Sequence, residues 1–163
     1  MLENQIQWQG LIWQYENVSP ILLAGSNPKY AVVDLDDYSW TKEAVKLVED
    51  SGCILLGYLN IGLAEEWRNY WREEWYHNPP DWLGPKHSFW SGKYYVKFWF
   101  EEWIQIMEKE IERILNLGFS GIHFDNLDAY TFWVNAGVSN AMDLMVDFVI
   151  GRFLRVYSSR QIL

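Results

Sequence analysis

The hydrophobic and polar positions along the chain predict an alternation of β-strands and α-helices. Three apolar runs have the length of strands and end at polar or acidic residues, namely YAVVDLDD (30–37), CILLGYLNIG (53–62) and SGIHFDNLD (120–128). A shorter aromatic run, LIWQYEN (11–17), precedes them and is a further strand candidate. Counted along the chain, it is the first strand, and the three apolar runs are the second, third and fourth. Because helical segments separate these runs, we expect a parallel sheet with helices as its crossover connections.

The predicted helices have recognisable ends. The first begins after Thr41, a residue type suited to an N-cap, and ends before Gly52. The second covers EEWIQIMEKEIERILNLG (101–118), with an apolar face and a glycine at its end. A last amphipathic helix is predicted at about 139–158. A long excursion between 63 and 99 separates the third strand from the second helix, and excursions of this length are usually functional.

These elements predict an α/β fold made of parallel (β/α) units of a TIM barrel. About four of the eight units are present, because a closed barrel has eight and runs to about 250 residues. We therefore expect residues 1–163 to form a single, truncated (β/α)-barrel domain, in which 139–163 hold the last helix and a tail unlike the preceding units. The open sheet edges of such a partial barrel predict a homo-oligomer.

Composition and charge narrow the classes of ligand. The chain has 11 Trp, 10 Tyr and 8 Phe residues, which either fill the core or line a groove for the flat apolar faces of sugars. Tyr58, Trp90, Trp99 and Tyr130 are the candidates for such a groove. The net charge of −9 argues against a nucleic-acid partner and favours a neutral or cationic ligand, or else reflects only an acidic surface.

The sequence also disfavours three other classes of protein, namely membrane proteins, secreted proteins and metalloproteins. No stretch approaches the roughly 20 apolar residues of a membrane span, so no membrane partner is expected. The first ten residues, MLENQIQWQG, do not resemble a signal peptide, which predicts a cytoplasmic location for the chain as written. The three histidines lack metal-binding spacing, and Cys53 has no second cysteine to pair with. We expect neither a metal nor a cofactor.

The segment GIHFDNLDAY (121–130) carries the main candidate for catalysis. Strand alternation turns His123 and Asp125 to the same side, with Asp125 at the rim where the active sites of parallel barrels lie. A carboxylate there can act as the nucleophile or the acid/base in glycosidic bond cleavage. Alternatively, Asp125 or Asp128 caps the following helix. We interpret His123 as an interior residue.

Two further segments carry weaker signals. Glu65 and Arg68 are three residues apart, which suits either an ion pair on the surface or an arginine that keeps a site carboxylate ionised. Asp34 and Asp36 share one face at the end of the second strand. They either bind sugar hydroxyls or an amino group, or cap the next helix.

Taken in order, these segments resemble a known family. YLNIGLAEEWRNYW fits the pattern Tyr-x-x-x-Gly-x-Ala-Glu-x-x-Arg-x-x-Trp, and PDWLG, WSGKYYVKFW and GFSGIHFDNLDAY are similar to its later blocks. The family is glycoside hydrolase family 114, the endo-α-1,4-polygalactosaminidase-like TIM barrels, and the resemblance spans roughly residues 10 to 150.

The resemblance implies a retaining hydrolase of α-1,4-linked galactosamine-type polysaccharides that needs no cofactor. It implies that Asp125 is the catalytic aspartate of the fourth strand, and that a set of other residues belongs to the pocket: Asp34, Glu65, Arg68, Asp128 and Tyr130. It also implies that full-length relatives are often secreted and that the second catalytic acid lies in the later half of a complete barrel. Within this chain, Glu65 or Asp34 would have to supply that second carboxylate, and Glu65 is the candidate we retain.

Three hypotheses follow from the sequence. The chain is a glycosidase that uses Asp125, or a module that binds a polysaccharide or oligosaccharide without cleaving it, or an inactive truncated fragment of such an enzyme. A cationic, galactosamine-containing ligand suits the acidic composition in the first two cases.

Overall fold

The computed structural model describes residues 18–154, so the strand candidate 11–17 and the tail 155–163 lie outside the described residues. The described part contains five α-helices, six strands and three short helices of other types. In chain order they are α1 (Pro20–Ser26), β1 (Tyr30–Val33), α2 (Lys42–Asp50), β2 (Ile54–Asn60), β3 (Leu63–Glu65), a 3-10 helix (Glu73–Tyr76), β4 (Leu83–Lys86), β5 (Lys93–Val96), α3 (Glu101–Leu117), β6 (Gly121–Asp125), a 3-10 helix (Leu127–Ala129), α4 (Tyr130–Asn135), α5 (Ala141–Val146) and a π-helix (Asp147–Leu154).

The predicted parallel sheet is confirmed, with the strand order β1-β2-β6. β1 and β2 pair in parallel over the whole length of β1. The Ser120 N–H donates to the Leu55 carbonyl before β6 starts, at 3.0 Å. The Ile61 N–H donates to the Asp125 carbonyl at the other end, at 3.2 Å, so β6 runs in the same direction as β2. The α/β class with helical crossovers, predicted from the apolar runs, is therefore correct.

The described residues divide into two compact units, one of residues 18–58 with 114–123 and one of 59–113 with 124–154. In the first unit, the predicted start and end of α2 are confirmed. The Thr41 hydroxyl accepts a hydrogen bond from the Ala44 N–H at 3.2 Å, and Gly52 follows the helix with a φ of +91°. The prediction of one truncated domain over the whole chain stays a prediction.

In the second unit, the long excursion folds into a second sheet that the sequence analysis did not predict. Its strand order is β3-β5-β4 and both pairings are antiparallel, with Leu63 opposite Tyr95. Each of these strands has only three or four residues. Such short strands give little periodicity in the sequence, and the paired strands β3 and β5 are about 30 residues apart along the chain.

Helix α3 matches its prediction within one residue, and Gly118 follows it with a φ of +95°. Its apolar face is fully buried at Trp103, Met107 and Ile111. The Trp103 indole N–H donates to the Ile61 carbonyl at 3.0 Å, at the end of β2. The helix therefore provides both the apolar core of the second unit and a buried hydrogen bond that fixes the end of a strand.

The last helix is present, but its type changes along its length. It was predicted at about 139–158, whereas the structure has α5 followed directly by a π-helix over Asp147–Leu154, where the described residues stop. Its buried apolar residues are Ala141, Met145, Phe148 and Phe153. Helix α4 was not predicted. Within residues 18–154, no helix combines the length and the apolar character that crossing a bilayer requires.

Candidate active site

Asp125 ends β6 with a partly exposed side chain, at the carboxyl end of a parallel strand. Both of its carboxylate oxygens accept hydrogen bonds from Asn126. The backbone N–H of Asn126 donates to Oδ1 at 2.8 Å, and the side-chain amide donates to Oδ2 at 2.9 Å. Asn126 thus restrains both oxygens of the carboxylate, and half-burial leaves part of the side chain exposed.

The backbone turn after Asp125 depends on the left-handed conformation of Asn126 and on the absence of a side chain at Gly62. Asn126 has a φ of 57° and a ψ of 37°, the left-handed region that asparagine adopts more readily than most residues. Gly62 lies against this turn, where an added Cβ would collide with the Asn126 carbonyl oxygen and come within 2.6 Å of the Ala129 Cβ. The absence of a side chain at Gly62 therefore allows the segment after β2 to approach the turn.

Asp128 and Tyr130 follow in the same segment. Asp128 is exposed within the 3-10 helix, and Tyr130 is partly buried at the start of α4. Asn126 occupies the N-cap position of the 3-10 helix and makes no side-chain capping hydrogen bond. Both predicted pocket residues therefore lie within five positions of Asp125 on the chain, and their binding roles stay predictions.

Glu65, at the end of β3, is a buried carboxylate with three polar partners. Arg68 Nε donates to Oε2 at 2.6 Å, while Lys93 Nζ lies 2.7 Å and Asn60 Nδ2 3.2 Å from Oε1. The side chains of Glu65, Arg68 and Lys93 are only 2%, 10% and 18% exposed. The pairing of Glu65 with Arg68 is thus confirmed as a contact, and the alternative of a surface ion pair is wrong.

The backbone around Glu65 is held by the same network. The Glu65 N–H donates to the Tyr70 hydroxyl oxygen at 3.0 Å, and Asn60 Oδ1 accepts from the Leu63 N–H at 3.0 Å. Burial raises the pKa of Tyr70 above its ordinary value, so its hydroxyl stays protonated at neutral pH. The network fixes the joint between β2 and β3 as well as the carboxylate itself.

Glu66, the next residue, has a different environment. It is partly buried, its N–H donates to the Gly92 carbonyl at 2.9 Å, and the Tyr94 hydroxyl donates to its Oε2 at 3.4 Å. The Tyr76 hydroxyl is a second hydrogen-bond partner of its side chain. Desolvation and the nearby Glu66 carboxylate raise the pKa of both tyrosines, so both hydroxyls remain neutral donors.

Two exposed tryptophans flank Lys93. Trp67 and Trp90 are 53% and 61% exposed, and Lys93 Nζ lies 5.7 and 5.9 Å from the centroids of their rings. Trp99, also predicted to bind substrate, is partly exposed and packs edge-on against Trp133 with the ring centroids 5.4 Å apart. Trp90 is therefore linked to the Glu65 network through Lys93, whereas Trp99 belongs to a separate aromatic cluster.

Two predicted residues lie in the first unit and are buried there. Asp34 Oδ1 accepts from the Asp36 N–H at 3.0 Å, which makes a local turn after β1, and Thr41 rather than an aspartate caps α2. Tyr58 stacks on His123 with ring centroids 6.4 Å apart. The interpretation of His123 as a residue with interior contacts agrees with this stacking. The binding roles of Asp34 and Tyr58 stay predictions.

Four residues next to these groups were not singled out from the sequence: Glu66, Trp67, Lys93 and Asn126. Lys93 carried a weak signal as a single lysine within the aromatic run WSGKYYVKFW. Its partner Glu65 is 28 residues away, so only the antiparallel pairing of β3 with β5 brings the two together. Among residues 18–154, no group of three or more His, Cys, Asp or Glu side chains is placed to hold a metal ion.

Comparison of solved structures agrees with the fold. The glycoside hydrolase domain of PelA from Pseudomonas aeruginosa superimposes with a TM-score of 0.73 at 12% identity, over 91% of this chain and 56% of that domain. Ega3 from Aspergillus fumigatus, solved in complex with galactosamine, gives a TM-score of 0.65 at 18% identity, over 96% and 60%. The chain therefore has part of a TIM-barrel-like fold, as the strand pattern predicts.

Sequence comparison gives closer relatives. An uncharacterized protein of Thermotoga maritima is 35% identical over 85% of this chain and 46% of its own length. One of Methanocaldococcus jannaschii is 31% identical over 85% and 43%. The chain thus spans about half the length of the curated relatives it matches. The model of glycoside hydrolase family GH114 matches residues 3–150, and because this match covers most of the chain, the protein belongs to that family.

Proposed function

We propose that this chain takes part in the hydrolysis of an α-1,4-linked, galactosamine-type polysaccharide, with Asp125 as the reacting carboxylate. The observation that carries the proposal is the position of Asp125. It ends a parallel strand, is accessible, and is restrained through both oxygens by Asn126. Membership of a glycoside hydrolase family supports the reaction class.

The chemistry proposed for Asp125 is nucleophilic attack on the anomeric carbon. In a retaining mechanism, the carboxylate forms a covalent glycosyl ester while a second carboxylic acid protonates the leaving oxygen. Water then hydrolyses the ester, and the second group acts as the base. The hydrogen bonds from Asn126 orient the attacking oxygens before substrate binds, which lowers the ordering needed in the transition state.

For Glu65 the contacts support a positioning role better than that of the second acid. An acid catalyst in a retaining enzyme must exchange a proton and lie about 5–5.5 Å from the nucleophile. Glu65 is buried, and its two oxygens already bind Arg68, Lys93 and Asn60. We therefore propose that Glu65 fixes the positions of Arg68 and Lys93.

The galactosamine-type substrate rests on two observations. Ega3, which has a similar fold, was solved in complex with galactosamine. The chain itself carries a net charge of −9, which favours a cationic amino-sugar polymer over an anionic one.

The test is an assay of reducing ends released from α-1,4-polygalactosamine by the wild type and by Asp125→Asn. Asparagine keeps the shape of the side chain but cannot attack as a carboxylate, so we expect turnover to fall on the order of a thousandfold or more. Circular dichroism checks that both proteins are folded. Equal turnover by the two proteins would remove Asp125 from the mechanism.

A second candidate function is saccharide binding without cleavage. The exposed rings of Trp67 and Trp90 favour it, because flat aromatic surfaces stack on the apolar faces of sugars. Binding of the polymer by the wild type without any release of reducing ends would support this function over hydrolysis.

A further inference from the structure

We propose that Glu66 and Trp67 form a subsite for one amino-sugar unit, in which Glu66 binds the ammonium group and the Trp67 ring stacks on the sugar. The inference rests on the proposed saccharide ligand and specifies how its charge is recognised.

Among the described residues, Glu65 has cationic partners that compensate its charge, whereas Glu66 has only neutral ones. Glu65 has two cationic partners within 2.7 Å, whereas the hydrogen-bond partners of the Glu66 side chain are the neutral hydroxyls of Tyr94 and Tyr76. Within residues 18–154, no lysine or arginine lies within ion-pair distance of Glu66. A half-buried carboxylate surrounded by neutral groups attracts a cationic ligand strongly, because screening by water is reduced there.

The Trp67 ring lies directly beside this carboxylate. A Cβ added to Gly92 would be 2.9 Å from both Glu66 Oε1 and Trp67 Cζ3, so both groups pack against the backbone of Gly92. Gly92 has a φ of +75°, a conformation that glycine adopts without strain. This turn brings a flat apolar surface and a carboxylate to adjacent positions, which are the two features that recognition of an amino sugar requires.

Two lysines lie near the proposed subsite, and both are accounted for. Lys93 approaches the Trp67 ring, but its charge is paired with Glu65 at 2.7 Å. Lys86 Nζ lies 5.5 Å from the centroid of the Tyr94 ring and forms no ion pair with Glu66. Glu66 therefore keeps the unpaired negative charge, and a ligand ammonium can supply the missing counter-charge.

The experiment compares one polymer in two charge states. The probes are fully de-N-acetylated α-1,4-polygalactosamine and the same preparation after chemical N-acetylation, with binding measured by calorimetry in the Asp125→Asn background to prevent cleavage. We expect the cationic form to bind more tightly, and Glu66→Gln to lower its affinity about five- to tenfold while leaving the acetylated form unchanged. Trp67→Ala should weaken both forms by the same factor.

Glu102→Gln is the matched control, because it removes the same charge from an exposed position at the start of α3. We expect it to change neither affinity by more than twofold. An equal loss in Glu66→Gln and Glu102→Gln would reduce the effect to net charge and overturn the subsite. An unchanged preference of Glu66→Gln for the cationic polymer over the acetylated one would also overturn the subsite. A parent protein that binds neither polymer would overturn it as well. Absence of hydrolysis by the wild type, with the binding pattern intact, would contradict only the hydrolytic function.

Discussion

Two strand ends in the second unit place a carboxylate in opposite settings. At the end of β6, Asp125 is partly exposed and accepts hydrogen bonds from the neutral Asn126 at both oxygens. At the end of β3, Glu65 is buried with two cations and an amide. Both residues belong to blocks that resemble the same family, yet their surroundings suit different tasks. The comparison teaches that the partners of an acid, rather than its place in a motif, decide whether it can react.

The largest effect on stability is expected from Glu65→Leu. Loss of the carboxylate removes the counter-charge that the buried Arg68 and Lys93 share, and breaking a buried ion pair costs about 3–5 kcal/mol. Urea unfolding followed by tryptophan fluorescence measures this loss, and Asp125→Asn serves as the comparison, with a change below about 1 kcal/mol. If the two variants lost the same stability, the contrast between the two strand ends would be mistaken.

A smaller loss of stability is expected from Gly62→Ala. The new methyl group would meet the Asn126 carbonyl and the Ala129 side chain, and overpacking of this kind costs about 1–3 kcal/mol. Turnover should fall as well, because the displaced turn carries Asp125. Gly25→Ala is the control, since no atom lies within 4 Å of the added Cβ and the position is helical. Equal melting temperatures for the two variants would argue against the close approach at Gly62.

The smallest effect is expected at Asn126. Two variants there separate the contribution of its left-handed backbone from that of its side-chain amide. Asn126→Gly keeps the left-handed backbone but removes the amide that holds Asp125, so turnover should fall about fivefold with little change in stability. Asn126→Ala should show the same loss of turnover and also destabilise the fold by about 1–2 kcal/mol. Steady-state kinetics measure the loss of turnover in the two variants, and thermal melts measure their loss of stability. Full activity in both variants would show that the amide is not needed to restrain Asp125, the proposed nucleophile.

Local signals in the sequence predicted most of the first unit and the long helix. The cap at Thr41, the glycines after α2 and α3, and the buried apolar run of β2 each follow from neighbouring residues alone. The sheet β3-β5-β4 was missed because its strands are very short and because the β3–β5 pairing joins residues about 30 positions apart, such as Leu63 and Tyr95. No local pattern contains that information.

The candidate site was likewise predicted only where local sequence signals were sufficient. Asp125 follows from the end of an apolar strand, and the spacing of Glu65 and Arg68 indicated their contact. Lys93 and Gly92 could not be placed, because they reach Glu65 and Glu66 only through the antiparallel sheet. The change of the last helix from α5 to a π-helix was also missed, since amphipathic spacing does not distinguish these forms.

The left-handed conformation of Asn126 has a consequence for how this position evolves. Two separate requirements bear on it, because most side chains disfavour the backbone geometry and because the amide donates to the neighbouring carboxylate. Glycine satisfies the first requirement and asparagine satisfies both. Relatives without the catalysis proposed for Asp125 are therefore expected to accept glycine at position 126 more readily than a bulkier residue.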